Sequence, residues 1–450
     1  MEQAAEFSRQ ATQYLQDENP FIQCLLALDK SMYLILSGDT VKAIESLRNT
    51  IWIARQANHL LVKILATCQL ADMQALQGRL SQAWNTLQKA QLMAIGPKGK
   101  PLLLTGFVDY GLGEILLERN SLKEANDYLE RGMKVSETMW LLRNLDSMVS
   151  LARLRQIQGD ISGSQAVIEK AWQMALNTET SQWDETLVSA IAVRLALQRG
   201  DLPVAQQWWG RGNFPDITYS IPLANYPYHI YEYLVMTQVR LLSAMGRIQN
   251  NNSYVTQCVE LLDSLEQQAV RFQRIATVIE IQVLQAISQY SLGETQEAVK
   301  RLRNALALGE PEGFRRVYLE GGQPIAELLV CCQSEPQESD RPLPSTVFLE
   351  SLLSDFQKEV WLESLPLPGR RVTTESITAK TEDGLPITLS AREVEVLKLI
   401  AEGKSNQEIS AELYLALNTI KRHAYNIYAK LGVQKRTQAV SIARKLDLIP

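Results

Sequence analysis

The chain has 450 residues, 46% hydrophobic and 21% charged, with a formal net charge of −5. It is too long for one ordinary core and too apolar for a disordered chain, so two or more globular domains are expected. No apolar run reaches the roughly 18 residues of a membrane span, and the polar, acidic stretch from Met1 to Asn19 is not a secretory signal. The five cysteines (Cys24, Cys68, Cys258, Cys331 and Cys332) show no CxxC spacing and set out no disulfide framework, so reduced thiols and a cytoplasmic location are expected. Charge is spread unevenly. From Pro386 onward ten Lys/Arg stand against six Asp/Glu, a net of +4, which leaves −9 on the rest. A basic tail on an acidic body is the electrostatic pattern of a nucleic-acid module attached to a regulatory domain.

The first element in chain order is a repeat. A small-residue break followed by an Ala-centred amphipathic run recurs, as in Ser37-Gly38-Asp39-Thr40-Val41-Lys42-Ala43 and Leu292-Gly293-Glu294-Thr295-Gln296-Glu297-Ala298. The breaks fall at positions 38, 78, 120, 159, 200, 246 and 293, separated by 40, 42, 39, 41, 46 and 47 residues. Each period holds two helical runs, one ending at the break and one starting just after it. Glycine at the break accommodates a left-handed C′ conformation, and Asp, Ser or Thr after it can cap the next helix. Ala43, Ala83, Ala125, Ala205 and Ala298 let helices approach closely. No single pair buries its apolar face, so neighbours must stack. The expectation is an all-α solenoid of tetratricopeptide-like helix pairs over residues 1–333, with periods longer than the standard ~34 residues.

Between Trp208 and Tyr233 the rhythm breaks. Aromatics crowd the segment, and Pro215, Pro222 and Pro227 require a loop. Such rings commonly line ligand or partner surfaces, but packing of the loop onto the solenoid is the favoured reading. Residues 334–385 change character again: prolines punctuate them, and one amphipathic helix, roughly Thr346 to Trp361, sits in what reads as a tether.

Residues 386–450 hold two successive capping boxes. Ser390 and Glu393 start helix one, whose Val394, Leu397, Ile400 and Ala401 face inward and which Gly403 ends. Ser405 and Glu408 start a short helix two, with Ile409 and Leu413 inward. After a turn, helix three spans about Asn418 to Leu431. Its Ile420, Ala424, Ile427 and Leu431 point to the core, leaving Thr419, Lys421, Arg422, Tyr425, Asn426 and Lys430 outside. Helix four, about Thr437 to Leu446, carries Ala439, Val440 and Ala443 at helical spacing. Major-groove reading needs donors for base edges and cations for phosphates on one exposed helix. Lys421 and Arg422 suit guanine O6 and N7, and Tyr425 suits a hydrogen bond or a thymine methyl. Thr419 and the first amides of the helix suit a phosphate. His423 fits a phosphate contact or module packing better than catalysis. Asn418, Asn426, Lys430, and Ser405 with Asn406 at the start of helix two, complete the expected DNA-contacting set.

These motifs carry a resemblance. Leu389-Ser390 through Glu408-Ile409, Asn418-Thr419-Ile420-Lys421-Arg422-His423 and Asn426-Ile427-Tyr428 through Gly432-Val433 are similar to the LuxR-type helix-turn-helix. That family implies a four-helix module that dimerises through helix four and reads operators in pairs. The stretch Leu306 to Phe314, followed by Tyr318-Leu319-Glu320-Gly321-Gly322-Gln323-Pro324, resembles the end of the solenoid in large MalT-like regulators. Those combine an ATPase, a helical-repeat sensor and a LuxR-type module. Two departures stand out. No phosphate-binding loop is present, since the first glycine of a motif ending in Gly403-Lys404-Ser405 would fall on Lys398, so the ATP switch cannot be carried over. The small hydroxyl residue usual at the start of the recognition helix is Ala416 here, and Asn418 or Thr419 caps instead.

Catalytic chemistry is not in evidence. His59, His229 and His423 are far apart in sequence, and neither HExxH, GxSxG nor GxGxxG occurs. No enzyme activity, metal or cofactor is expected. The reading is a cytoplasmic transcriptional regulator. Its expected partners are double-stranded DNA, a small-molecule inducer or regulatory protein on the solenoid, and RNA polymerase; it would act as a homodimer on DNA, away from membranes. A protein-interaction scaffold with weak DNA binding, and a truncated ATP-dependent regulator, are the rival readings.

Overall fold

The computed structural model describes residues 19–96, 102, 104–138, 144–177, 183–212, 214, 227–249, 251–334, 344–359, 377–380, 386–389, 391–412, 424, 427–428, 431, 433, 435–446 and 448–449. It divides into two compact units, Met1–Trp361 and Leu362–Pro450. In the first, every described element is a helix, with an isolated bridge residue at Ile95. Its helices are α1 Pro20–Leu36, α2 Thr40–Gln56, α3 Leu60–Leu76, α4 Leu80–Met93, α5 Thr105–Glu118, α6 Leu122–Thr138, α7 Asn144–Ile157, α8 Ile161–Asn177, α9 Asp184–Gln198, α10 Leu202–Arg211, α11 Tyr228–Gln249, α12 Asn252–Arg271, α13 Ile275–Ser291 and α14 Thr295–Gly309. The short α15 Arg316–Leu319, then α16 Gln323–Ser334 and α17 Thr346–Lys358, follow. Consecutive helices pack on one another.

The breaks do their expected work at most positions. Gly38, Gly78, Asn120, Gly159, Gly200 and Gly293 all have positive φ. After each of the last five, the next amide reaches back five residues to a helix carbonyl, as in Arg79 N to Gln74 O (2.9 Å) and Asp201 N to Ala196 O (2.9 Å). This is the Schellman pattern that satisfies the orphan carbonyls of a helix end. Asp39 and Asp201 cap the following helices by accepting from the Lys42 and Val204 amides. Gly246 is the exception and corrects the sequence reading: it lies inside α11 without a positive φ. The turn there is made further on, where the Asn251 side chain accepts from the Ser253 amide at 3.0 Å to start α12.

Two layers result. Helices α3, α5, α9 and α13 are buried on most sides, whereas α2, α4 and α14 bury one stripe, such as Ala43, Leu47, Thr50 and Ala54 on α2. All-round burial marks an inner layer, a single stripe an outer one. Each large apolar side chain sunk in this way, Leu47 and Leu87 among them, contributes about 1.5–3 kcal/mol.

The inner layer closes on itself. Arg274, ahead of α13, donates from Nη1 to the Gly38 carbonyl at 2.7 Å, across 236 residues of sequence. The Ser81 amide donates to Glu312 at 2.7 Å, Arg315 N to Glu118 O at 3.1 Å, and Arg153 Nε to Glu320 Oε1 at 2.5 Å. The first repeats therefore touch the last. Helix α17 packs on α15 and α16 and so groups with this unit.

The second unit holds an antiparallel pair of strands, β1 Ile377–Lys380 and β2 Pro386–Leu389, with Ile377 opposite Leu389. The sequence reading did not include this hairpin in its all-α expectation. Helices α18 Ala391–Ala401, α19 Asn406–Glu412 and α20 Arg436–Lys445 follow.

Candidate nucleic-acid module and the interior of the solenoid

The second unit is built on one apolar cluster. Val394, Leu397 and Ile400 of α18 and Ile409 of α19 meet Ala424, Ile427 and Leu431, with Ala439 and Ala443 of α20 closing it. All of these stand where helical spacing put them. Val396, Leu399, Leu448 and Ile449 are buried as well. Ile420 and Leu413 lie outside the described residues.

Gly403, with φ 88°, ends α18. The Ser405–Glu408 capping box is formed in both directions: the Ser405 amide donates to Glu408 Oε2 at 2.7 Å, and the Glu408 amide donates to Ser405 Oγ at 3.3 Å. The Ser405 amide holds the Glu408 carboxyl below its usual range. Asn406 follows as the first residue of α19, its Oδ1 buried without a partner among the described residues. Sequence reasoning missed Arg436. At the first turn of α20, it donates from Nη2 to the carbonyls of Ile400 (3.2 Å) and Lys404, tying the end of α18 to the start of α20. Its partners are 36 and 32 residues away, so no local pattern marks it. The remaining sequence-predicted contact residues, Asn418, Thr419, Lys421, Arg422, His423, Tyr425, Asn426 and Lys430, lie outside the described residues, as does Ser390 of the first capping box.

Ser405→Ala should destabilise the module by about 1 kcal/mol, because one N-cap bond is lost while the Glu408 half of the box remains. Limited proteolysis of the module in urea measures this. Ser405→Asp should restore the loss, and an unaltered Ser405→Ala midpoint would show that the box contributes nothing.

The first unit has a polar interior. Glu280 of α13 receives Arg194 (2.8 Å) and Arg240 (3.0 Å), and against the burial that opposes it these guanidiniums hold its carboxyl down at about 2. Arg153 of α7 joins Glu320 and, at 3.9 Å, Glu118. Arg274 pairs with Glu232 of α11 at 2.9 Å, both almost fully buried. Arg316, fully buried, bonds Glu359 at 2.9 Å and Asn120 at 2.8 Å.

A cavity of about 860 Å³ opens beside the Arg153 and Arg274 pairs, lined from α1, α3, α4, α5, α7, α9 and α11 and from the starts of α2 and α13. His229 is on its wall. His59 is structural: its Nδ1 accepts from the Val62 amide at 3.3 Å, capping α3. Of the aromatic segment, Trp208 meets Trp172 edge-on, Trp209 stacks on Phe214 at 3.9 Å, and Tyr228 and Tyr231 are buried. Residues 215–226 of the expected loop lie outside the described residues.

An all-α repeat unit with an open cavity, followed by a compact C-terminal module, makes this a two-part helical-repeat protein. Residues 1–335 match the family described as MalT-like TPR region, and residues 387–443 match bacterial regulatory proteins, luxR family. The chain belongs to the MalT-like helical-repeat family and carries a luxR-family module. It is similar to the HTH-type transcriptional regulator MalT of Serratia proteamaculans (23% identical over 412 residues, 91% of this chain and 43% of that protein). The Vibrio cholerae protein of the same description is 24% identical over 419 residues, 91% of this chain and 44% of that protein. The Yersinia enterocolitica one is 22% identical over 460 residues, 99% of this chain and 47% of that protein. The chain thus spans less than half the length of these relatives. No helix among the described residues is long and apolar enough to cross a membrane.

Proposed function

We propose that the chain is a DNA-binding transcriptional regulator acting in the cytoplasm. Its luxR-family module reads operator DNA through the major groove, and its solenoid senses an inducer or partner protein. The observation that carries this reading is the coincidence of the luxR-family match with a module whose buried set includes Ala424, Ile427 and Leu431. Those three share one face at helical spacing; Lys421 and Arg422 just precede Ala424 in sequence, Tyr425 just follows it, and all three fall off that stripe. Thr419 and Asn418 cap the recognition helix and meet phosphate; His423, Asn426 and Lys430 belong to the same helix, and Ser405 and Asn406 start the helix before it. The names of the similar MalT proteins support the same class. The chain binds as a homodimer and engages RNA polymerase, and occupancy of the solenoid biases which state of the module is available.

Arg422→Ala and Lys421→Ala should each weaken operator binding by roughly tenfold to a hundredfold, the worth of about 1–3 kcal/mol for a lost base contact. Fluorescence anisotropy on an operator selected from genomic fragments at near-physiological salt measures it. Wild-type affinity in both variants removes the recognition-helix assignment. Feeble binding without sequence preference, even for the unaltered chain, favours the interaction scaffold instead.

A further inference from the structure

The cavity of the solenoid gathers polar atoms that the described residues leave largely unsatisfied. Thr40 Oγ1, Gln69 Oε1 and Glu114 Oε1 are buried without a hydrogen-bond partner among the described residues, the Tyr228 hydroxyl and Arg274 Nη2 have at most each other, and all five residues line it. Thr40, Tyr228 and Arg274 are more than nine-tenths buried. Buried polar groups left unpaired are costly, and their convergence on one cavity is the mark of a site completed by a ligand.

The unpaired atoms fall into two groups. Glu114 and Gln69, both acceptors, stand on α5 and α3, which pack on each other. The donor-capable group is Thr40, Tyr228 and Arg274. These are held together where Arg274 bonds the Gly38 carbonyl and stacks 4.1 Å from the Tyr228 ring centroid. The charge of the lining is acidic: Asp72, Glu114, Glu118, Asp146, Asp184 and Glu232 stand against Arg153 and Arg274, with no lysine among the described lining residues. Both arginines are already paired with carboxylates, so neither offers an anion a net positive charge. The aromatic residues Phe107, Tyr110 and Trp183 complete the wall, and aromatic rings suit a cation.

We infer that this cavity binds a small organic amine, its ammonium on Glu114 and its uncharged polar end on Thr40, Tyr228 and Arg274. The inference rests on the sensory reading of the solenoid and names the ligand class for it. Burial pushes the Glu114 carboxyl up, against the pull of Arg153. An ammonium beside Glu114 supplies the partner that favours its ionised form. The cavity volume is within the range that encloses a small molecule.

The test is titration calorimetry on the full chain with three probes of one length and different charge: aminohexanol, hexanediol and hydroxyhexanoate. Aminohexanol should bind saturably while the other two give no signal. Glu114→Gln, which preserves shape, should weaken aminohexanol binding roughly tenfold or more while the thermal unfolding transition stays cooperative. Gln69→Leu should weaken it less. Absence of aminohexanol binding, equal binding of hexanediol, or undiminished binding by Glu114→Gln each overturns the inference. Operator affinity measured with and without aminohexanol separates the two readings. Amine binding that leaves DNA affinity unchanged keeps the site and removes the sensor role. An effect on DNA affinity from a different ligand class, with no amine binding, does the reverse.

Discussion

Arg274→Met is expected to destabilise the helical-repeat unit by about 3–5 kcal/mol, the usual cost of removing one partner from a buried ion pair. Arg274 is 1% exposed and its partner Glu232 is 3% exposed. The guanidinium also supplies the 2.7 Å bond to the Gly38 carbonyl, so the variant loses an ion pair and one of the bonds joining the first repeat to the last. The remaining carboxylate can escape its isolation only by taking up a proton. Burial already pushes Glu232 up to about 7 from its usual 4.5, even with Arg274 beside it. A folded-state pKa above the unfolded one means that the folded protein binds more protons in that interval, so stability falls as pH rises through it. Without Arg274 the folded value climbs further. The deficit of Arg274→Met should therefore be smallest in mild acid and grow toward alkaline pH. Urea unfolding of the variant at several pH values measures this, and Arg274→Met with Glu232→Leu should recover most of the loss. A pH-independent deficit, or a double variant no better than the single, would show that packing rather than charge isolation is responsible.

The second large effect is at Gly38. Its φ is +78°, and a Cβ built there would lie 2.6 Å from Tyr228 Cγ and 2.9 Å from Tyr228 Cβ. Gly38→Val therefore combines left-handed backbone strain of about 1–2 kcal/mol with overpacking of about 1–3 kcal/mol, roughly 2–5 kcal/mol together. Gly200 supplies the control, because its φ is +75° and no described residue lies within 4 Å of the added Cβ. Gly200→Val should show the strain alone. Equal losses in the two variants, read by equilibrium unfolding, would mean that the approach of Tyr228 to Gly38 contributes nothing to stability.

The sequence disclosed what local spacing can disclose. Paired amphipathic helices, six of the left-handed breaks and the inward face of the module all follow from the 3.6-residue period and from glycine or asparagine at helix ends. Gly246 misled because a glycine before a polar Asn-Asn-Asn run looks like a helix end, whereas α11 extends to Gln249 and Asn251 starts the next helix. The polar interior was not legible, since Arg153 meets Glu320 across 167 residues and Arg194 meets Glu280 across 86. Local spacing does not distinguish those arginines and glutamates from solvated charges; only the fold brings them together. The cavity was hidden for the same reason: its walls come from residues 28 to 314. In the module, the Ser405 cap was legible from its Ser-x-x-Glu spacing, and Arg436 was not.

The meeting of the first and last repeats also sets a limit on how this architecture can vary. An open stack of helix pairs can gain or lose a unit at either end, or in the middle, because each unit answers only to its neighbours. Here Gly38 must reach Arg274, Ser81 must reach Glu312 and Asn120 must reach Arg316. Duplicating or deleting one helix pair between them would put all three out of register at once. The number of units is thus a fixed dimension of the molecule, like the strand number of a closed barrel, and length variation is confined to its turns and connecting loops.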